Sequence, residues 1–392
     1  MPRYKYLIVG GGMAADAAVK AIREIDQSGT IGVIGCESSP PYKRPPLTKG
    51  LWKGKPVESI WLHTDQKGAI LQLGRHAQSL DAAEKRVTDD RGTDYTFDKL
   101  LIATGGTPRT LPTLSPRTIY YRRFDDYRAL LDLAHRGDRF AVIGGGFVGT
   151  EIAAALAMSG RKVTLIFPEE SITRRIYPSD LSMFLNDYYR QQGVEVLAGE
   201  SVASSEDRGS KTVIRLNSGR EFEVDGVVAG IGITPNIGLA ESAALEIGDG
   251  IAVDETLGTS HPDIYAAGDV ASFYNPHLRS RLRFEHEDNA LTMGAYAGRA
   301  MAGQGEAYFH LPYFYSDLFD LGYEAVGDLD SRLETVADWK EQFKEGVVYY
   351  LRDGRVRGVL LWNVWDKVPE ARALIAEPGP FTESDLMGRI SL

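Results

Sequence analysis

The stretch Tyr6-Leu7-Ile8-Val9-Gly10-Gly11-Gly12-Met13-Ala14-Ala15 decides the fold, because its logic returns at Ala141-Val142-Ile143-Gly144-Gly145-Gly146-Phe147-Val148-Gly149. Each begins as an apolar run fit for a buried parallel strand, turns through glycines and continues into a helical pattern. Such a turn holds one pyrophosphate at a helix N-terminus, where backbone N–H groups and the helix dipole face the anion. Gly10 and Gly144 stand 134 residues apart, so each turn opens its own unit. Two turns imply two dinucleotides, and the economical reason to hold both is to pass electrons between them.

In the first unit, Gly10-x-Gly12-x-x-Ala15 has Ala in the third place, where helix–strand packing tolerates a methyl. The next apolar run, Thr30 to Gly35, ends in Cys36-Glu37, and Glu37 lies 25 residues past Gly12, about where a carboxylate meets a ribose hydroxyl. In the second unit, Gly144-x-Gly146-x-x-Gly149 is a full match. The following strand, Lys162 to Phe167, leads to Glu169, 20 residues after Gly149. A carboxylate there binds the 2′- and 3′-hydroxyls of NAD and repels the 2′-phosphate of NADP, whereas Arg174 and Arg175 could grip that phosphate. NADH is expected over NADPH. Gly10, Gly12, Ala14 and Ala15 at one turn, and Gly144, Gly146, Phe147, Val148 and Gly149 at the other, are the candidate cofactor-binding positions.

The 392 residues suffice for two or three domains, and 43% apolar with 25% charged residues is a globular balance. No run of 18 apolar residues occurs, so no membrane span is expected. Met1-Pro2-Arg3 leads straight into a strand without a secretory signal, which makes the expected location cytoplasmic. A net charge of −10 argues against nucleic-acid binding. The single cysteine, Cys36, excludes an intrachain disulphide, a CxxC redox pair and a cysteine-ligated metal centre.

Three further segments carry more specific information. Pro40-Pro41-Tyr42-Lys43-Arg44-Pro45-Pro46-Leu47-Thr48-Lys49-Gly50 is a proline-stiffened loop with three cations. Leu100 to Gly106 is a strand ending in the small-residue turn Thr104-Gly105. Ile264-Tyr265-Ala266-Ala267-Gly268-Asp269 reads as a strand, a turn and an acid opening a helix. Together they resemble the FAD-binding motifs of the pyridine nucleotide-disulphide oxidoreductase superfamily. The PYxRPPLxK loop is similar to that of ferredoxin and rubredoxin reductases, apoptosis-inducing-factor-like oxidoreductases and monodehydroascorbate reductases. The resemblance implies FAD on the first unit, with Glu37, Arg44, Lys49, Thr104, Gly105, Gly268 and Asp269 around it. By the same resemblance Asp269 accepts a hydrogen bond from the ribityl chain and Lys49 lies near the isoalloxazine. Some relatives carry the ribose acid one residue earlier, where this chain has Cys36, so either Glu37 takes over the contact or the contact is lost.

The resemblance continues into the second half. Ala229 to Asn236 resembles the GxGxxPN stretch that closes the NAD domain, placing Gly232 at the cofactor. Glu151, in the first turn of its helix, is implied to pair with Lys49 between the two binding domains. Its blander role is to complement the helix dipole. Phe284-Glu285-His286-Glu287-Asp288-Asn289-Ala290 resembles a segment whose Glu-His faces flavin and nicotinamide, with a structural histidine as the alternative. Leu311-Pro312-Tyr313-Phe314-Tyr315-Ser316-Asp317 is similar to the LPYFYS and FWSD stretches of these families, which puts Tyr315 beside the flavin. The alternative is an aromatic in a domain core. Lys49, Glu151, His286 and Tyr315 are thus the candidate catalytic residues.

The expected architecture is α/β: two Rossmann-like dinucleotide-binding domains plus a small α+β C-terminal domain with an antiparallel sheet. The expected boundaries are an FAD-binding domain at 1–110, an NAD(H)-binding domain at 111–240, a second FAD-binding part at 241–310 and a C-terminal interface domain at 311–392. In that last domain Asp353-Gly354, set between the apolar runs 346–351 and 356–362, signals a hairpin, and 366–377 reads as a short helix. The resemblance implies that this domain covers the flavin and contributes to a homodimer.

The implied activity is NADH-dependent reduction of FAD, followed by electron delivery to ferredoxin or rubredoxin. A small acceptor such as quinone or oxygen, and an NADH-binding sensor with slow turnover, are the competing readings. Arg279, Arg281 and Arg283 alternate along one segment. If extended, they form a basic face for an acidic ferredoxin; otherwise they pair with Glu285, Glu287 and Asp288.

Overall fold

The computed structural model describes residues 1–392. Its main elements are β1 (Arg3–Val9), α1 (Met13–Ile25), β2 (Ile31–Gly35), β3 (Ala69–Leu73), β4 (Ala77–Asp81), β5 (Arg86–Asp89) and β6 (Asp94–Ile102). They continue with β7 (Arg139–Ile143), α2 (Phe147–Met158), β8 (Lys162–Phe167), β9 (Val194–Ala198), β10 (Gly226–Ala229), β11 (Ile264–Ala266), β12 (Ala271–Asn275), β13 (Ser280–Leu282) and α3 (Glu287–Met301). The C-terminal elements are β14 (Tyr313–Leu318), β15 (Leu321–Gly327), β16 (Glu334–Glu341), β17 (Glu345–Arg352), β18 (Arg355–Trp362) and α4 (Val368–Ala376).

The chain divides into two compact units. One comprises Met1–Arg44, Pro56–Thr107 and Thr234–Pro312; the other comprises Pro45–Lys55, Pro108–Ile233 and Tyr313–Leu392. The residues that sequence reading assigned to 111–240 and 311–392 lie mostly in this second unit. The loop Pro45–Lys55 also folds there, although sequence reading kept it in the first part. Local hydrogen bonds hold it: Tyr121 Oη donates to the Leu47 carbonyl at 2.6 Å, and Trp52 Nε1 donates to the same carbonyl at 2.8 Å.

The first unit is built on a seven-stranded sheet in the order β3-β2-β1-β6-β5-β4, with β11 also pairing β6. β1 runs parallel to both β2 and β6, and all of its residues from Tyr6 to Val9 are buried. Burial on both faces explains why β1 and β2 read as unbroken apolar runs rather than alternating ones. Helix α3 lies against α1. A Cβ on Gly294 would stand 2.3 Å from the Ala14 carbonyl oxygen, and one on Gly298 would stand 2.5 Å from that of Ala18. The small residues of α3 therefore let two helix backbones approach closely.

The second unit has a five-stranded parallel sheet, β9-β8-β7-β10 followed by the short strand Ile119–Tyr120, and a five-stranded antiparallel sheet, β14-β15-β18-β17-β16. The Asp353-Gly354 hairpin joins β17 to β18. Both turn residues have positive φ, 53° and 69°, as a type I′ turn requires. Trp362 stacks on Tyr323 at 5.8 Å, and both rings are fully buried. The helix expected over 366–377 spans Val368–Ala376. No helix is long and apolar enough to cross a membrane.

Candidate functional site

Each glycine turn is shaped by what a side chain would strike. Gly10 has φ +123°, and a Cβ there would stand 2.0 Å from the Ala103 carbonyl oxygen. Gly11 faces Gly35 at the end of β2. Gly12 caps α1, and no protein atom lies within 4 Å of its Cβ position. The second turn repeats the design. At Gly144, φ +112°, a Cβ would meet the Gly230 carbonyl at 2.4 Å, and at Gly149 it would meet the Gly144 carbonyl at 1.9 Å. Gly146, which caps α2, has open space instead. In both turns, then, the first glycine leaves no room for a Cβ and the third, Gly12 or Gly146, stands beside empty space at a helix N-terminus. That cradle fits a pyrophosphate, whose charge the helix end favours.

Around the first cradle, Ala15 is fully buried, and Ala14 packs near Gly268, whose Cβ would stand 3.2 Å from the Ala14 methyl. Glu37 accepts hydrogen bonds from Arg44 Nη2 at 2.6 Å and Tyr42 Oη at 2.7 Å, while Cys36 points to solvent. Burial alone disfavours the Arg44 cation, but Tyr42, Glu37 and Asp269 outweigh it and hold the guanidinium firmly charged. The Thr104-Gly105 turn is fastened to Asn236: Thr104 Oγ1 donates to the Asn236 carbonyl at 2.8 Å, and Asn236 N–H donates to the Gly105 carbonyl at 2.9 Å. Asp269 does not open an α-helix as expected. It sits in a single 3₁₀ turn, Gly268–Val270, because β12 starts at Ala271 and pairs with Gly250–Ala252 and β13.

Around the second cradle, Phe167 lies beneath Gly145, and Thr173 N–H donates to the Gly145 carbonyl at 2.9 Å. Phe147 packs edge-on to Phe314 at 5.2 Å. Val148 is half-buried beside it, and Gly232 (φ +90°) is exposed. Glu169 follows β8, with its carboxylate 3.1 Å from the exposed Arg175 guanidinium. Arg174 pairs with Glu170 at 2.6 Å.

Lys49, Glu151 and Tyr315 come together inside the second unit. Lys49 Nζ donates to Glu151 Oε1 and lies 5.2 Å from the centroid of the Tyr315 ring, within cation–π range. The pair was expected between two binding domains. Instead both partners belong to one unit, because the Pro45–Lys55 segment folds with α2. Two further partners escaped sequence reading. Thr48 Oγ1 donates to Glu151 Oε2 at 2.5 Å, and Ser316 Oγ donates to Glu151 Oε1. Each hydroxyl adjoins a residue already singled out, Lys49 or Tyr315, and that adjacency was the available signal. Three donors on one carboxylate suit a charge that is only 7% exposed. A cleft of about 340 Å³, including space open to solvent, reaches this pair.

His286 and Glu285 belong to the first unit. His286 caps α3, with its ring 5.5 Å from that of Phe284. The three arginines do not form one basic face. The extended segment covers only Ser280–Leu282, and Arg279 leaves it at φ +46°. Arg281 Nη1 donates to the carbonyls of Val253 and Ser272 at 3.0 and 2.6 Å. Arg283 is 10% exposed and pairs with Glu285 and Asp249. Internal pairing, the alternative, is what the fold adopts for Arg283.

Comparison with known proteins follows the same lines. The family model for "Pyridine nucleotide-disulphide oxidoreductase" matches residues 4–294, and that for "Apoptosis-inducing factor, mitochondrion-associated, C-term" matches 297–340 and 337–377. The chain is 36% identical over 418 residues to apoptosis-inducing factor 1, mitochondrial, of Dictyostelium discoideum, spanning 95% of this chain and 78% of that protein. It is 32% identical over 391 residues to the 5,5'-dehydrodivanillate O-demethylase ferredoxin reductase subunit of a Sphingobium species, spanning 96% and 94%. Among solved structures, one chain of the covalent putidaredoxin reductase–putidaredoxin complex matches with a TM-score of 0.91 at 27% identity, over 98% of this chain and 95% of that one.

Proposed function

The chain belongs to the pyridine nucleotide-disulphide oxidoreductase family, flavoprotein oxidoreductases that bind FAD and a nicotinamide dinucleotide, and from that premise we propose that it oxidises NADH and delivers the electrons to ferredoxin. The observation that carries this reading is the repeated cradle: two glycine turns of the same build, each with one open position at a helix N-terminus. FAD, when bound, supplies the chemistry of accepting a hydride and releasing electrons singly.

In this reading Gly10–Gly12 and the N-terminus of α1 hold the FAD pyrophosphate. Glu37, with Arg44 beside it, receives the ribose, and Thr104, Gly105, Gly268 and Asp269 line the remainder. Gly144–Gly149 hold the pyrophosphate of NADH, with Gly232 lining that side. Glu169 favours NADH by repelling a 2′-phosphate. Lys49, fixed by Glu151, supplies a positive charge at the reacting centre, where reduction builds negative charge. His286, Glu285 and Tyr315 are assigned to the nicotinamide and flavin surroundings.

Two relatives support ferredoxin as the acceptor. One is named as a ferredoxin reductase subunit, and a structural neighbour was solved with putidaredoxin. A second reading, in which a quinone or another small molecule takes the electrons, is favoured by the match of the C-terminal region to the apoptosis-inducing factor family and by the engagement of Arg281 and Arg283 in internal contacts. Steady-state rates with NADH and either a bacterial ferredoxin or a soluble quinone decide. A kcat/KM for ferredoxin at least tenfold above that for quinone supports the first reading, and the reverse supports the second.

A further inference from the structure

The cleft beside Lys49 and Glu151 is lined by neither glycine turn, yet it opens onto a sheltered carboxylate with three hydrogen-bond donors. Its lining combines apolar Trp52, Ala154, Ala155, Met158 and Phe319 with polar Thr48, Lys49 and Glu151. Lys53 and Asp317 also line it and pair at 3.4 Å; both are well exposed. The cleft that Glu151 lines therefore has room for about one water molecule.

The proposed reaction has a proton to dispose of. NADH plus two oxidised one-electron carriers gives NAD⁺, two reduced carriers and one proton. The carriers accept electrons only, so the proton brought in by the hydride must leave a buried centre. Lys49 Nζ and Glu151 Oε1 already share a hydrogen bond, and Glu151 borders the cleft. We propose that this cleft is the proton exit of the enzyme, with Glu151 passing the proton from Lys49 Nζ to water. The inference rests on the reading that Lys49 serves the reacting centre.

The balance is simple. The Lys49 ammonium gives up one N–H, Glu151 gains and then loses one O–H, and water in the cleft takes the proton. Lys49 then takes up the proton shed at the centre. Thr48 and Ser316 are positioning residues, since their hydroxyls keep the carboxylate aimed at Lys49 throughout. Neighbouring phenols do not compete. Burial first and the Glu151 charge second hold Tyr189 and Tyr323 above the ordinary tyrosine value, so they stay protonated.

The test fills the cleft without touching the relay. Ala155→Leu narrows it from the α2 wall, and Met158→Trp does so from the rim, where Met158 is 55% exposed and a larger side chain is readily accommodated. Stopped-flow mixing of holoenzyme, NADH and a one-electron carrier is followed by a pH-indicator dye and by the flavin band. In parallel, exchange of the Lys49 Nζ–H protons with water is measured by NMR in the resting FAD-loaded protein without NADH. The expected result is that bleaching by NADH keeps its rate, while proton release and Lys49 exchange each slow about tenfold or more in both variants. Unchanged proton release and unchanged exchange in Met158→Trp would overturn the proposal. If NADH fails to bleach the unaltered holoenzyme, the functional reading falls instead, and the NMR exchange in the resting FAD-loaded protein still decides whether the cleft is the water route.

Discussion

Lys49 and Glu151, 102 residues apart in sequence, meet as an ion pair whose two side chains are 13% and 7% exposed. Pairs this sheltered are held by their hydrogen bonds, and removing one partner strands the other's charge. Lys49→Met is therefore expected to destabilise the fold by on the order of 3 kcal/mol, leaving Glu151 with its two hydroxyl donors alone. Adding Glu151→Gln to that variant should cost less than the sum of the single changes. Urea unfolding of the four proteins checks this, and strictly additive losses would count against the pair.

The glycine turns separate binding from folding. Gly146 has no protein atom within 4 Å of its Cβ position, whereas Gly149 has the Gly144 carbonyl at 1.9 Å. Gly146→Ala should unfold at the same temperature as the parent but bind NADH at least tenfold more weakly. Gly149→Ala should lose thermal stability as well. Calorimetry together with NADH titration separates the two. A Gly146→Ala protein with parental NADH affinity would remove the open position from the cradle.

Gly294 makes a comparable argument for the first unit. Its Cβ would meet the Ala14 carbonyl at 2.3 Å, so Gly294→Ala forces α3 away from α1, the helix that starts at the first cradle. Overpacking of this kind costs about 1–3 kcal/mol. Purified Gly294→Ala should carry less FAD per chain than the parent, measured by absorbance after gel filtration. Full FAD content at unchanged stability would show that the two helices have slack.

How much of this was legible in the sequence follows from how local each feature is. The two cradles, the Asp353-Gly354 hairpin and helix α4 are set by neighbouring residues, so apolar periodicity and turn chemistry sufficed. The partners of Glu151 were not legible in this way. Thr48 lies 103 and Ser316 165 residues away, and nothing in either local pattern distinguishes a hydroxyl aimed at a buried carboxylate from one facing water. Asp269 misled for a related reason. Strand-turn-acid reads as a helix start, but the pairing of β12 with remote strands claims the next residues. The spacing of Arg279, Arg281 and Arg283 left a basic face and internal pairing both open, because it carries no information about Val253, Asp249 or Ser272, which engage Arg281 and Arg283.

Stability against acid has an identifiable contributor in Asp263. Hydrogen bonds from Lys85 and then Lys99, at 2.5 and 2.6 Å, hold its carboxyl at about 2, below the ordinary 3.8. A depressed value means that the contact stabilises the fold above the ordinary value and ceases to do so as pH falls from about 4 to about 2. Asp263→Asn should lower the unfolding midpoint at pH 7 and show a shallower loss across that window. A parental pH profile in the variant would assign the acid sensitivity elsewhere.

The central claim, that one chain holds FAD and NADH and passes electrons onward singly, is tested most directly by anaerobic titration of the purified protein with NADH, followed by addition of oxidised ferredoxin. The account predicts about one FAD per chain, complete bleaching at one NADH per FAD, and return of the flavin colour as two ferredoxins are reduced for each NADH consumed. Protein that cannot be loaded with FAD, or whose flavin stays oxidised under excess NADH, would contradict it.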